Sequence, residues 1–335
     1  MNALCVLSVG DSAERLLAAA NAARVSARCI AKFQRCVYLE FKSTQVNGLI
    51  CVASAEIPRG PITVNCTEDT INALLLTLST SRDVAVQPDM FSWLDTCVAI
   101  VWPSRLTLDA PIFVPETRWL QALMSLSGDD SLVQYCDEFW SGEAGRSRLG
   151  TASITREPGT AGVGMEAAEH HYFATTLRQT KDALEQLLAT SDPEQCLRAG
   201  LVDPLLKLAG AGRGMTPAGD DALAGIFIAL HLLSRYKLIA ALRECALPEI
   251  TNRTHPVSSA LLDEALSGRT DESVHRLLLN MSHSQLATVQ QSATLLTGMG
   301  QTSGWDFLVG MLVVFSAISP ERRLPTSTLL PSLHA

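Results

Sequence analysis

Two stretches of this chain, far apart in sequence, carry one spaced pattern of glycine, threonine and aspartate. Written from Gly212, GRGMTPAGDDALAG has the form GxGxT, two residues, GxDxLxG; written from Gly298, GMGQTSGWDFLVG has GxGxT, one residue, GxDxLxG. Gly212, Gly214, Thr216, Gly219, Asp221, Leu223 and Gly225 therefore correspond to Gly298, Gly300, Thr302, Gly304, Asp306, Leu308 and Gly310. Each copy follows one helical pattern and opens another, so the repeated unit is helix, glycine loop, helix. A dinucleotide fingerprint would need a preceding strand and a different glycine spacing, and is excluded.

A helix start exposes amide hydrogens with no internal partner and carries partial positive charge, and glycine lets a ligand approach that backbone closely. Two such loops related by a pseudo-twofold can present Gly212, Gly214, Gly219, Gly300 and Gly304, with the hydroxyls of Thr216, Thr302 and Ser303, to one small anion. Arg213, inside the first loop, is suited to a carboxylate or phosphate. Asp220, Asp221 and Asp306 then have four open roles. They can hold a divalent cation such as Mg, orient the hydroxyls, accept a hydrogen bond from an amide-bearing substrate, or take a proton during a reaction.

A plain structural reading competes with this one. Thr216-Pro217 suits an ordinary helix cap and first position, and carboxylates in a first turn are favoured by ~0.3–1 kcal/mol without any function. The repetition favours a site, because capping does not demand the same positions twice. Gly225 and Gly310 are expected at close helix packing rather than at a ligand. TNRTHPVSSALLDEAL, with Thr251 and Thr254 at its start, either lines a pocket or caps a helix. His170 and His171 have no ligand partner at a fixed spacing.

Around these motifs the hydrophobic period changes along the chain. RCIAKF, CVYLEFK, GLICVAS, PITVNC and CVAIVW, between Arg28 and about Pro115, are short, rich in β-branched and aromatic residues, and separated by turn formers. They predict an antiparallel barrel or sandwich-like domain, with a turn signal at Asn47-Gly48 and one helix over Asp69–Thr80 capped by Thr70. Beyond Trp119 the period is helical. The fold class is therefore α+β: a β-rich domain over 1–117, a mostly helical domain over 118–320 carrying both glycine motifs, and a tail over 321–335. The glycine-rich stretch 141–164 is expected as a long loop covering a site.

Composition narrows the partners. The longest apolar runs, Ile226–Leu233 and Phe307–Phe315, fall short of the ~20 residues of a membrane span. The N-terminus lacks a basic residue ahead of its apolar stretch, so the expected compartment is the cytoplasm. Nine cysteines without a CxxC pair argue against a disulfide framework and a structural zinc. A net charge of −8 with no basic run argues against nucleic acid, whereas a small anionic metabolite needs only an arginine or two and some amides.

GAGRGMTPAGDDALAG, the TNRTHPVSSALLDEALSG segment and GMGQTSGWDFLVG, with GLICVASAEIPRGPITV in the N-terminal half, together resemble a bacterial family typified by AllH, a subunit of oxamate carbamoyltransferase. The resemblance spans roughly residues 25 to 318, with Met215 and Ala218 standing where the family pattern has leucine and serine. It implies a reaction of anaerobic allantoin (purine) degradation in which phosphate attacks the carbamoyl carbon of oxalurate, giving oxamate and carbamoyl phosphate. It also implies an FdrA-like partner and a third subunit. Two other functions stay open on the residues: a non-catalytic scaffold subunit, and a standalone metal-dependent hydrolase built on the aspartates.

Overall fold

The structure is a computed structural model that describes residues 5–79, 85–86, 100–106, 163–282, 286–297 and 303–318. The domain boundary expected at 117, the 141–164 loop up to residue 162, the tail from residue 321, and Gly298, Gly300 and Thr302 lie outside the described residues. Two compact units emerge, one of residues up to 107 together with Ser267–His275, the other of the helical region.

The first unit is built on one sheet of strands β1 (Val6–Gly10), β2 (Ala27–Lys32), β3 (Cys36–Lys42), β4 (Asn47–Ser54), β5 (Thr63–Cys66), β6 (Ala85–Val86) and β7 (Ile100–Trp102). Their order is β6-β2-β3-β4-β5-β1-β7. The α+β layout holds, and the sheet is open rather than a closed barrel. It is also mixed, because β4 pairs with β5 and β1 with β7 in parallel. Alternation explains its covered face. Val37, Leu39 and Phe41 on β3 and Ile50 and Val52 on β4 point to one side, where helices α1 (Asp11–Ala23) and α2 (Glu68–Ser79) bury Ala13, Leu17, Ala20, Ile71, Leu74 and Leu78 against them.

Two local expectations shift. The β3–β4 turn is made by Ser43 to Val46, with Ser43 N–H on the Val46 carbonyl at 2.8 Å and Val46 N–H on Ser43 Oγ at 2.9 Å. Gly48 lies inside β4 opposite Phe41, and a Cβ there would meet the Leu16 side chain at 2.7 Å, so this glycine makes room for α1 rather than for a turn. Thr70 sits within α2, and its hydroxyl accepts the Cys5 N–H at 3.1 Å instead of capping the helix.

The segment Ser267–His275, although it lies among the helices in chain order, belongs to the first unit. Leu106 N–H donates to Gly268 O at 2.9 Å and Thr270 N–H to Ser104 O at 3.0 Å. Arg59 meets Glu272 through two guanidinium bonds of 2.8 and 2.7 Å, a bidentate pair. The His275 ring reaches Ser104 O at 2.9 Å and stands edge-on to Trp102, ring centres 5.0 Å apart.

The second unit is helical: α3 (Val163–Ala189), α4 (Pro193–Cys196), α5 (Asp203–Leu208), α6 (Ala218–Leu232), α7 (Tyr236–Cys245), α8 (Leu247–Arg253), α9 (Pro256–Leu266), α10 (Glu272–Ser282) from Arg276 onward, α11 (Leu286–Thr297) and α12 (Ser303–Ile318). The repeat helices α6 and α12 form its centre, and Leu223, Ile226, Phe227, Leu308, Met311 and Val314 are among the residues they bury. Around them, α5, α7 and α9 pack on α6, and α3 and α11 on α12. Gly225 lies on the Phe307 carbonyl and Gly310 on the Ala222 carbonyl. Ala222 and Phe307 occupy equivalent places in the repeat, so the crossing is reciprocal, as a pseudo-twofold requires.

This crossing makes a signed prediction. Helix propensity alone would let Gly225→Ala or Gly310→Ala stabilise by up to ~1 kcal/mol. The added methyl would collide with carbonyl backbone of the facing helix, and such overpacking costs about 1–3 kcal/mol. Both variants are expected to melt several degrees below the parent in thermal unfolding followed by circular dichroism. An unchanged or raised Tm would contradict the close approach.

Candidate functional site

The crossing of α6 and α12 brings their starts together. Thr216 Oγ1, at the end of the first glycine loop, lies 3.3 Å from Ser303 Oγ, the first residue of α12, so the two motifs converge on one place. Thr216 is therefore not a helix cap: Pro217 occupies that position and no side chain caps α6. The loop between α5 and α6 turns on glycines with left-handed backbone. Gly210 has φ +72° and ends α5, and Gly212 has φ +116° and passes so near the helix start that a Cβ would lie 2.8 Å from Ala218 N.

The loop folds onto its own helix. Gly219 N–H donates to Ala211 O at 2.8 Å, and the Asp220 and Asp221 amides donate to Pro217 O at 2.9 and 3.1 Å. Of the glycine amides expected to face a ligand, that of Gly219 is engaged within the chain. Gly219 also packs so tightly on the Leu208 carbonyl that a Cβ would displace it. Gly212, Arg213 and Gly214 form the exposed part of the loop, and Gly304 is buried in the first turn of α12.

The three aspartates occupy different surroundings. Asp220 is only 2% exposed, and its Oδ1 accepts the Gly210 N–H at 2.8 Å while its Oδ2 accepts the Thr254 hydroxyl. Asp221 faces the other motif. Burial pushes its carboxyl up to about 8, against the Ser303 hydroxyl that hydrogen-bonds it and would lower it, and the charges of Asp306 and Asp220 add to the rise. Its Oδ2 is enclosed and meets no hydrogen-bond partner. A carboxyl so held keeps its proton at neutral pH and can give it away.

Of the TNRTHP residues, Thr254 joins this cluster through Asp220, and Thr251 does not. The Thr251 hydroxyl donates to Pro248 O at 3.0 Å within α8. The Thr254–Asp220 and Ser303–Asp221 pairs were invisible in sequence, since each joins residues of different motifs; the only signal was the clustering of hydroxyls near a helix start. Among the described residues no three His, Cys, Asp or Glu side chains gather so as to hold a metal ion. Both Asp220 oxygens are engaged by donors of the chain itself.

The Asp221 environment sets a pH dependence of stability. Its folded value lies above the ordinary carboxylate value of 3.8, so the stability it contributes is full below that value and is lost as pH rises toward about 8. Asp221→Asn is expected to flatten this slope and to exceed the parent by on the order of 5 kcal/mol at pH 8 while differing little at pH 4. Denaturant titrations at the two pH values check this; parallel pH profiles for the two proteins would place the proton elsewhere.

Among the described residues no helix is long and apolar enough to cross a membrane. No solved structure matches the chain. Residues 208–315, the stretch from the end of α5 to α12 that holds both glycine motifs and the Asp220, Asp221, Thr254 and Ser303 cluster, match the family described as oxamate carbamoyltransferase subunit AllH. The match covers residues 208–315 of 335, the segment that builds the site, and it is this segment that is similar to AllH.

Proposed function

We propose that this chain is the AllH-type subunit of a complex that transfers a carbamoyl group from oxalurate to phosphate, in anaerobic purine breakdown, with an FdrA-like subunit and a third subunit as partners. The observation that carries the reading is the convergence of the two glycine motifs at Thr216 and Ser303 beside a carboxyl that keeps its proton, within the stretch that matches the family.

The chemistry assigns each group a task. A phosphate oxygen attacks the carbamoyl carbon, a carbon–oxygen bond forms, and the bond from that carbon to the oxamate nitrogen breaks. The departing nitrogen is a poor leaving group unless protonated, and Asp221 supplies that proton; the proton of hydrogen phosphate then restores the carboxyl. Thr216 and Ser303 direct hydroxyls at the carbamoyl oxygen as it gains negative charge. Arg213, with Gly212 and Gly214, attracts the substrate carboxylate or the phosphate from the exposed side of the loop. Asp306 keeps the Asp221 proton in place through its own charge.

The test is reconstitution of the chain with its two partner subunits, followed by assay of oxalurate and phosphate for carbamoyl phosphate. The parent complex is expected to turn over, with activity falling above about pH 8 as Asp221 loses its proton. Asp221→Asn should lower kcat by about 100-fold or more, and Ser303→Ala by about tenfold or more. Full activity of the Asp221→Asn complex would leave the chain the role of a scaffold, and absence of carbamoyl phosphate from the parent complex would end the reading.

A further inference from the structure

The pair Asp220-Asp221 looks like one functional unit in sequence, but the structure separates its members. Neighbouring residues on a helix point about 100° apart, since 3.6 residues make a turn. Asp221 thereby faces Ser303 and Asp306 on α12, while Asp220 faces the junction between α8 and α9. There it is sealed from solvent and both its carboxylate oxygens are engaged, one by the Gly210 N–H and the other by the Thr254 hydroxyl.

The same junction grips the loop at two further points. Arg253 Nη1 donates to Leu206 O, near the end of α5, at 3.0 Å. The left-handed Gly210 lies directly on the Arg253 carbonyl, where any side chain would collide with backbone. The path from Gly210 to Thr216 thus leaves α5 clamped and ends at the hydroxyl that meets Ser303.

We infer that Asp220 and Thr254 are positioning residues, a buried latch between the α8–α9 junction and the glycine loop that holds Thr216 and Asp221 where α12 can meet them. Asp220 gives up no proton and touches no substrate. The catalytic part of this inference rests on the transferase reading above; the latch itself does not.

The variants that decide it differ in shape and chemistry. In Asp220→Asn the amide oxygen still accepts the Gly210 N–H and the amide nitrogen donates to the Thr254 hydroxyl, which turns to accept it. Asp220→Ala breaks both bonds, Thr254→Val breaks one, and Thr254→Ser keeps it. In the free full-length chain, hydrogen exchange measured by mass spectrometry over residues 209–217 is expected to be at least about tenfold faster in Asp220→Ala and Thr254→Val. The same exchange should lie within about threefold of the parent in Asp220→Asn and Thr254→Ser.

Carbamoyl phosphate formation by the reconstituted complex should follow the same order, with the two conservative variants keeping activity. An Asp220→Asn complex as inactive as Asp220→Ala would assign Asp220 to proton chemistry and overturn the inference. Unchanged exchange and turnover in Thr254→Val would remove the latch. Should the parent complex make no carbamoyl phosphate, the transferase reading fails while the exchange measurement still decides the latch.

Discussion

The close crossing of α6 and α12 is the constraint on which the second unit depends. Two glycines, Gly225 and Gly310, let each helix lie on the carbonyl backbone of the other. Because both are buried on nearly every side, the pair is at once the core of the unit and the frame of the site. A larger separation would not merely loosen the packing: it would draw Thr216 from Ser303 and Asp221 from α12, since these groups sit within the first turn or just before it. A short lever between packing point and helix start transmits small backbone shifts almost undiminished.

The electrostatics show a division between support and chemistry. Carboxylates at a helix start are ordinarily comfortable, because the helix end is partly positive. Asp220 takes further advantage through a backbone amide and a hydroxyl, which satisfy its oxygens in a place closed to water. Asp221, one residue on, has one hydroxyl, two negative neighbours and an oxygen enclosed without a partner. Burial and like charge together outweigh the helix end and the Ser303 bond, so the proton stays. An arrangement of this kind is unfavourable for folding and useful for proton transfer, the familiar opposition between stability and activity at sites.

The first unit follows another logic. Its sheet needs only β-branched alternation and two amphipathic helices to cover one face, and that much is local. The segment Ser267–His275 is not local. Gly268, Thr270 and Glu272 answer backbone groups at Leu106, Ser104 and Arg59 that stand more than 150 residues earlier in the chain. Nothing in GRTDESVH announces this, because hydrogen bonds from main-chain groups leave little trace in side-chain composition.

Periodicity made strands β2 to β5 and β7 and the long helices legible, and the duplicated glycine pattern foretold the paired helices and their packing glycines. β1 and α1 escaped because VLSVG is short and runs straight into a helix without a separating turn signal. Asn47-Gly48 misled because a glycine that makes room for Leu16 looks the same as one that turns a chain. What sequence alone determined was the set of residue types gathered in the glycine motifs, since local propensity and repetition act over a few turns of chain. Which aspartate is locked in structure and which holds a proton was decided only by tertiary packing. Two adjacent identical side chains differ solely in the direction they leave the helix, and burial and hydrogen-bond partners depend on what lies in that direction.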